Sequence, residues 1–249
     1  MLAVGPTGSG KAALLYQGLR MLRRPRQQPV PMATIERTVR GRLDDAVRVV
    51  VSSADGVTFD IALQRLAGDG TKAFLVGEIP DLATAREAVR LTTQRRRLVL
   101  STLHVPDAPS ALQRLLWLGV PPADVGEAVA LVLAPRALRR LCAHCSKPLH
   151  LPAHALQAAG FASGEIAGGL VLWEPDRQGC TFCTGGFRGR YHACELLPMT
   201  ERVRGALAGA DARAIRQVAL EEGMKPLRRR LLDAAIAGDA WIADVDGVA

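Results

Sequence analysis

The segment that most restricts how this chain can fold is Gly5-Pro6-Thr7-Gly8-Ser9-Gly10-Lys11, set between the apolar run MLAV and the helical stretch AALLYQGLRML. It fills the first seven places of the phosphate-loop pattern G-x-x-x-x-G-K-[ST]. Glycines there let consecutive backbone N–H groups turn inward around phosphate oxygens, and the helix that follows adds the positive end of its dipole. A loop of this kind needs a buried strand before it and a helix after it, which points to an α/β fold. Lys is rare in this chain, occurring only at 11, 72, 147 and 225. Lys11 would place a point charge on the outer phosphates. The eighth place, where a Ser or Thr hydroxyl ligates Mg²⁺, is Ala12, and Ala13 offers no substitute. Phosphate binding survives that change, but placement of Mg²⁺ suffers.

Periodicity along the rest of the chain agrees with an α/β core. Residues 45–52 (DAVRVVVS), 73–79 (AFLVGEI) and 98–103 (LVLSTL) are aliphatic runs of buried-strand length. Residues 58–67, 81–94 and 107–118 have helical spacing, and the Ala-rich stretch 123–133 reads as a further helix. Strands alternating with helices imply βαβ units and a mostly parallel sheet. Arg23 to Pro31 reads as a basic, Pro-broken connector. After Leu141 the periodicity weakens and Gly, Pro and Cys accumulate; from Glu195 the stretches ERVRGALAG, ARAIRQVALEEG and KPLRRRLLDAAIAG are helical again. The expected division is a core over 1–140, a cysteine module over 141–192 and a helical subdomain over 193–249.

Cys142-x-x-Cys145 and Cys180-x-x-Cys183 hold four of the five cysteines. Each pair can set two thiolates on one turn, and two such turns make a tetrahedral S₄ site that favours structural Zn²⁺. A disulfide framework is the alternative, disfavoured in a reducing compartment. His144 and His150 are competing ligands in principle, and Cys194 reads as a small buried apolar residue. The net charge of +8 raises a nucleic-acid partner. However, the excess is Arg in an Ala-rich chain, a composition that codon usage also produces, and this argues against a nucleic-acid groove. No apolar run reaches the ~18 residues of a membrane helix. Nothing at the start of the chain marks secretion, so the expected location is cytoplasmic.

The motif order resembles that of the type II secretion and type IV pilus assembly ATPases. Its carriers are GPTGSGK followed by LLY, Ile35-Glu36, Gly56 to Phe59, Val76-Gly77-Glu78-Ile79 with Asp81, Leu98 to His104, Arg140-Leu141-Cys142, Gly189-Arg190 and Glu195-Leu196-Leu197. The resemblance implies a RecA-like P-loop NTPase core, a small tetracysteine zinc module, a helical C-terminal tail and ATP as cofactor. It places Glu36 in an acidic box that activates water and Glu78 in the Walker B position, with His104 as the second histidine of a histidine box. Read alone, Glu36 is equally a solvated helix cap and His104 a hydrogen-bonded strand-end histidine. The resemblance also implies secretion or pilus platform proteins at the inner membrane as partners. It further implies a hexameric ring, formed with itself or with intact homologues. The tetracysteine module leans away from the retraction type.

Several positions depart from the family pattern. Arg37 and Arg40 stand where the acidic box has carboxylates, and Gln64 and Gly68 where a helix carries two phosphate-serving arginines. Pro80 replaces an Arg, Arg97 the first histidine of the histidine box, and the stretch Thr184 to Arg190 is one residue short. The chain opens at the P-loop strand, ahead of which family members carry another domain. A truncated gene, an alternative start and a partner chain are the open readings of that. Three functional readings follow: a motor hydrolysing ATP, a hydrolytically impaired assembly or regulatory subunit, and a gene remnant.

Overall fold

The aliphatic runs do become strands of one sheet. The computed structural model describes residues 1–22, 30–41, 43–52, 54–209 and 211–246; the connector read over 23–31 therefore lies outside the described residues from 23 to 29. In chain order the elements are β1 (Leu2–Val4), α1 (Lys11–Leu22), β2 (Met32–Glu36), β3 (Ala46–Val50), α2 (Phe59–Gly68), β4 (Ala73–Val76) and α3 (Leu82–Thr93). They continue as β5 (Leu98–Leu103), α4 (Ala108–Trp117), α5 (Pro122–Ala128), β6 (Leu131–Leu141), β7 (Lys147–Leu149), α6 (Ala153–Ala159) and α7 (Ser163–Ala167). The last are β8 (Leu172–Glu174), β9 (Phe187–Pro198), α8 (Glu201–Ala206), α9 (Ala212–Glu221), α10 (Leu227–Ile236) and α11 (Ile242–Asp246).

A seven-stranded sheet runs in the order β3-β2-β4-β5-β1-β6-β9. The pairings of β1 with β5 and β6, of β2 with β3 and β4, and of β4 with β5 are all parallel. Strands covered on both faces read as continuous apolar runs, and β1 and β4 are buried at every residue. At the edge, β3 exposes Val47 and Val50 and carries Arg48 between them; a charge in an edge strand discourages further pairing. Asp81 and Asp107 begin α3 and α4, each side chain accepting a backbone N–H of the first turn, from Thr84 at 2.8 Å and Ser110 at 2.9 Å.

Two compact units result, one from Met1–Pro135 with Leu196–Met224, the other from Arg136–Glu195 with Lys225 onward. In the first, Leu2, Val4, Leu103, Leu112 and Val132 share one cluster with Val203, Leu207 and Ile215, while Ala3, Leu15, Leu19, Leu75 and Leu100 form another. In the second, Leu138, Leu156, Phe161 and Leu172 pack with Leu231, Leu232 and Val245. The residues expected to form one helical tail are thus shared, α8 and α9 in the first unit and α10 and α11 in the second.

The structure corrects three local expectations. The helix expected over 123–133 stops at Ala128, where Val129 turns extended (φ −92, ψ 110), and Leu131 begins β6. Leu2 opposite Val132 and Ala3 opposite Leu133 show why: the apolar run gains a parallel partner and burial in the sheet, which overrides alanine's helix propensity. Glu195 to Pro198 are strand, not helix. Residues 32–36, not read as a strand, pair with β3 and β4 on either side.

Candidate functional site

The phosphate loop leaves β1 through Gly5 (φ 141) and turns at Gly8 (φ 84) and Gly10 (φ 96), backbone conformations that glycine adopts without strain. Lys11 opens α1 and is buried; its Nζ donates to the carbonyls of Gly5 and Pro6, both at 2.7 Å. Ser9 Oγ is buried without a hydrogen-bond partner. A buried hydroxyl without a partner carries a desolvation cost, which a phosphate oxygen in the loop would relieve. Thr7 and Pro6 stand exposed on the rim, and Ala12 begins the helix face beyond them.

Beside Ala12 lies a cavity of about 230 Å³. Its wall brings together Ala12, Glu36, Glu78 and His104 with Arg37, Thr38, Arg40, Phe59 and Thr102. Parallel strands explain the convergence. β2 ends at Glu36, β4 is followed by Gly77-Glu78, and β5 ends just before His104, so the carboxyl ends of adjacent strands open onto one place. Gly77 permits the approach, since a Cβ there would come within 3.3 Å of the Glu36 backbone and side chain.

Glu36 is buried on a strand, which removes the solvated helix-cap reading. The Tyr16 hydroxyl donates to Glu36 Oε2. Burial pushes the Glu36 carboxyl up from 4.5, opposed by the Tyr16 hydrogen bond and by the charges of Arg40 and Arg48. Burial first, and then Glu36, push the Tyr16 phenol up to about 12. An acid whose pKa is raised on folding contributes stability below its unfolded value and loses it as pH rises. Glu36→Gln keeps an acceptor for Tyr16 and removes the buried charge. At neutral pH it is expected to raise Tm by about 2–4 °C. The gain should vanish below about pH 4.5. Thermal melts across pH check this, and an unchanged or lower Tm at neutral pH overturns it.

Glu78 is half-buried, and Arg37 Nε donates to its Oε1 at 2.8 Å. The Arg37 guanidinium also lies 5.7 Å from the Phe59 ring centre. Thr102 Oγ1 donates to Gly77 O at 2.6 Å. His104 is exposed and also borders a second cavity of about 500 Å³ with Glu78, Pro80 and Trp117. Gln64 and Gly68 are exposed on α2, and Asp81 serves as a helix cap. Tyr16 and the Arg37–Glu78 pair were missed from sequence; LLY gave the tyrosine but not its partner.

In the other unit the four cysteine sulfurs lie within 4.8 Å of one another. Cys142 to Cys180 is 3.8 Å, and Cys145 to Cys183 and Cys180 to Cys183 are both 3.6 Å. All four are free thiols. His144 instead stacks on Phe182 with ring centres 4.4 Å apart. Cys194 is half-buried, not buried, with its Sγ 3.4 Å from Glu195 O.

Residues 1–247 match the family model for type II/IV secretion system proteins. The chain belongs to that family. The type IV pilus assembly ATPase PilB of Pseudomonas aeruginosa is 34% identical over 251 residues, covering 100% of this chain and 43% of the relative. The type II secretion system protein E of Klebsiella pneumoniae is 35% identical over 239 residues, covering 96% of this chain and 46% of the relative. The chain thus spans less than half the length of these curated relatives. Among solved structures, the pilus retraction motor PilT with bound ADP superposes with TM-score 0.67 at 19% identity, covering 100% of this chain and 60% of that one. The Legionella pneumophila ATPase DotB superposes with TM-score 0.68 at 16% identity, covering 99% of this chain and 58% of that one. These structures speak to the fold: a RecA-like α/β core.

Proposed function

We propose that this family member binds ATP at its phosphate loop and acts in type IV pilus assembly or type II secretion, with hydrolysis impaired. The observation that carries the reading is the loop itself. Gly5, Pro6, Thr7, Gly8, Ser9, Gly10 and Lys11 form a glycine-hinged turn with a buried lysine and an unpartnered buried hydroxyl, next to a cavity lined by Ala12 and both glutamates. Lys11 and the loop amides would hold the phosphates. Glu36, Glu78 and His104 occupy the positions inherited for hydrolysis. The impaired reading is favoured by Arg37, which engages the carboxylate of Glu78.

Cys142, Cys145, Cys180 and Cys183 would hold a structural Zn²⁺, whose chemistry is to tie two turns together. Inner-membrane platform proteins are the proposed partners, with a ring formed by this chain or with intact homologues. Among the described residues no helix is long and apolar enough to cross a membrane. The proposed location is cytoplasmic, at the membrane through those partners.

Isothermal titration of ATP into wild type and Lys11→Ala tests the site. Charge-assisted hydrogen bonds contribute about 1.5–3 kcal/mol, so affinity should fall about 10- to 100-fold. Equal affinities would remove the nucleotide reading.

A further inference from the structure

The cavity beside the phosphate loop does not fit a divalent cation. Position 12 offers a methyl group where a hydroxyl is needed. Glu36 faces the Tyr16 hydroxyl, and Glu78 Oε1 accepts from Arg37 Nε at 2.8 Å. The Thr102 hydroxyl is directed to Gly77 O at 2.6 Å. Thr38 is an exposed hydroxyl on the rim. Of the charged groups on the wall, Arg37 and Arg40 match Glu36 and Glu78 in number, so the carboxylates are balanced by guanidinium groups before any metal is considered.

We propose that the Arg37 guanidinium takes the place of the divalent cation, so that this chain binds the metal-free polyphosphate of a nucleotide. The inference rests on the nucleotide reading above. Arg37 lines the cavity, is more than half exposed and engages Glu78 through Nε, so its two outer guanidinium nitrogens are not used in that contact. A guanidinium presents parallel N–H donors that suit phosphate oxygens and stays charged at every working pH. Glu78 and the Phe59 ring hold it between them, as a bound cation would be held. Lys11 and Arg37 then place positive charge on two sides of a bound polyphosphate, one from the loop and one from the end of β2.

The test is titration of ATP into the whole chain, with EDTA or with excess Mg²⁺. Wild-type affinities should agree within about threefold, whereas Arg37→Gln should lose about tenfold or more in EDTA. Arg37→Gln also frees Glu78, so Mg²⁺ should now strengthen binding. Glu78→Gln releases Arg37 and should hold or raise the metal-free affinity; it keeps the test informative if Arg37→Gln melts early. Wild-type affinity that rises about tenfold with Mg²⁺ overturns the proposal and leaves the nucleotide reading standing. So does metal-free affinity unchanged in a folded Arg37→Gln or lowered in Glu78→Gln. No binding by wild type in either condition removes the nucleotide reading itself, and the proposal with it.

Discussion

Purified chain is expected to carry about one zinc ion, and Cys142→Ser or Cys180→Ser to lose it together with much of the second unit's stability. Four thiolates around zinc at about 2.3 Å in a tetrahedron stand about 3.8 Å apart. The sulfurs at 3.6 and 3.8 Å already stand at that spacing. The backbone sets them there with two tight turns: Cys145 N and Ser146 N donate to Cys142 O at 3.3 and 3.0 Å, and Cys183 N donates to Cys180 O at 3.1 Å. Cys142 N in turn donates to Gly186 O at 2.9 Å. Gly186 has φ 84, and a Cβ there would meet Pro175 at 2.6 Å and Asp176 O at 2.7 Å, so glycine is required at that crossing. Structural zinc contributes on the order of 10–16 kcal/mol of apparent binding energy in small domains, and most of it is folding energy. Losing a ligand should therefore lower Tm of this unit by well over 10 °C. Nucleotide binding should persist, because every residue of the phosphate loop belongs to the other unit. Metal analysis and melting with and without a chelator decide it. A metal-free protein with titratable thiols and an unchanged melt would falsify the zinc assignment.

What the sequence revealed depended on whether a residue's identity alone carries its role. The phosphate loop was legible because glycine and lysine at fixed spacing have few other uses, and β4 and β5 because strands buried on both faces need aliphatic runs. β2 was not legible: MATIE is short, follows Pro31 and has only Thr34 and Ile35 as β-branched residues, and it is a strand because it fills the gap between β3 and β4. That one missed strand delivers Glu36, so its burial and its contact with Tyr16 were hidden too. Helical periodicity identified α8 to α10, but not α11 nor which unit each covers. Ile215 and Ala219 on α9 pack into one cluster, and Leu231 and Leu232 on α10 into the other. The substitution at Arg37 was visible from sequence; its partner, Glu78, sits beyond another strand and could only be found in the fold.

Turnover near background is the expected result of a phosphate-release assay on wild type, with Ala12→Thr recovering little or no rate. The hydroxyl missing at position 12 is one of several losses. Gln64 and Gly68 lie exposed on α2 with no positive charge to offer, although the resemblance implies arginines there. Glu78, the carboxylate proposed for the Walker B role, is engaged by Arg37 within the chain. Removing a single group that stabilises developing charge costs about 100- to 1,000-fold. Groups acting as a unit are not additive, so restoring one while the others stay absent returns only a small part of the rate. Ala12→Thr should therefore make ATP binding more responsive to Mg²⁺ without making hydrolysis fast. Combining it with Arg37→Gln should widen that response, since Glu78 is then released, while turnover stays low because Gln64 and Gly68 still stand where the resemblance implies arginines. Wild-type turnover of about 1 per second, ordinary for an enzyme, would overturn the impaired reading. Family membership would be untouched, since it rests on residues 1–247 and not on rate.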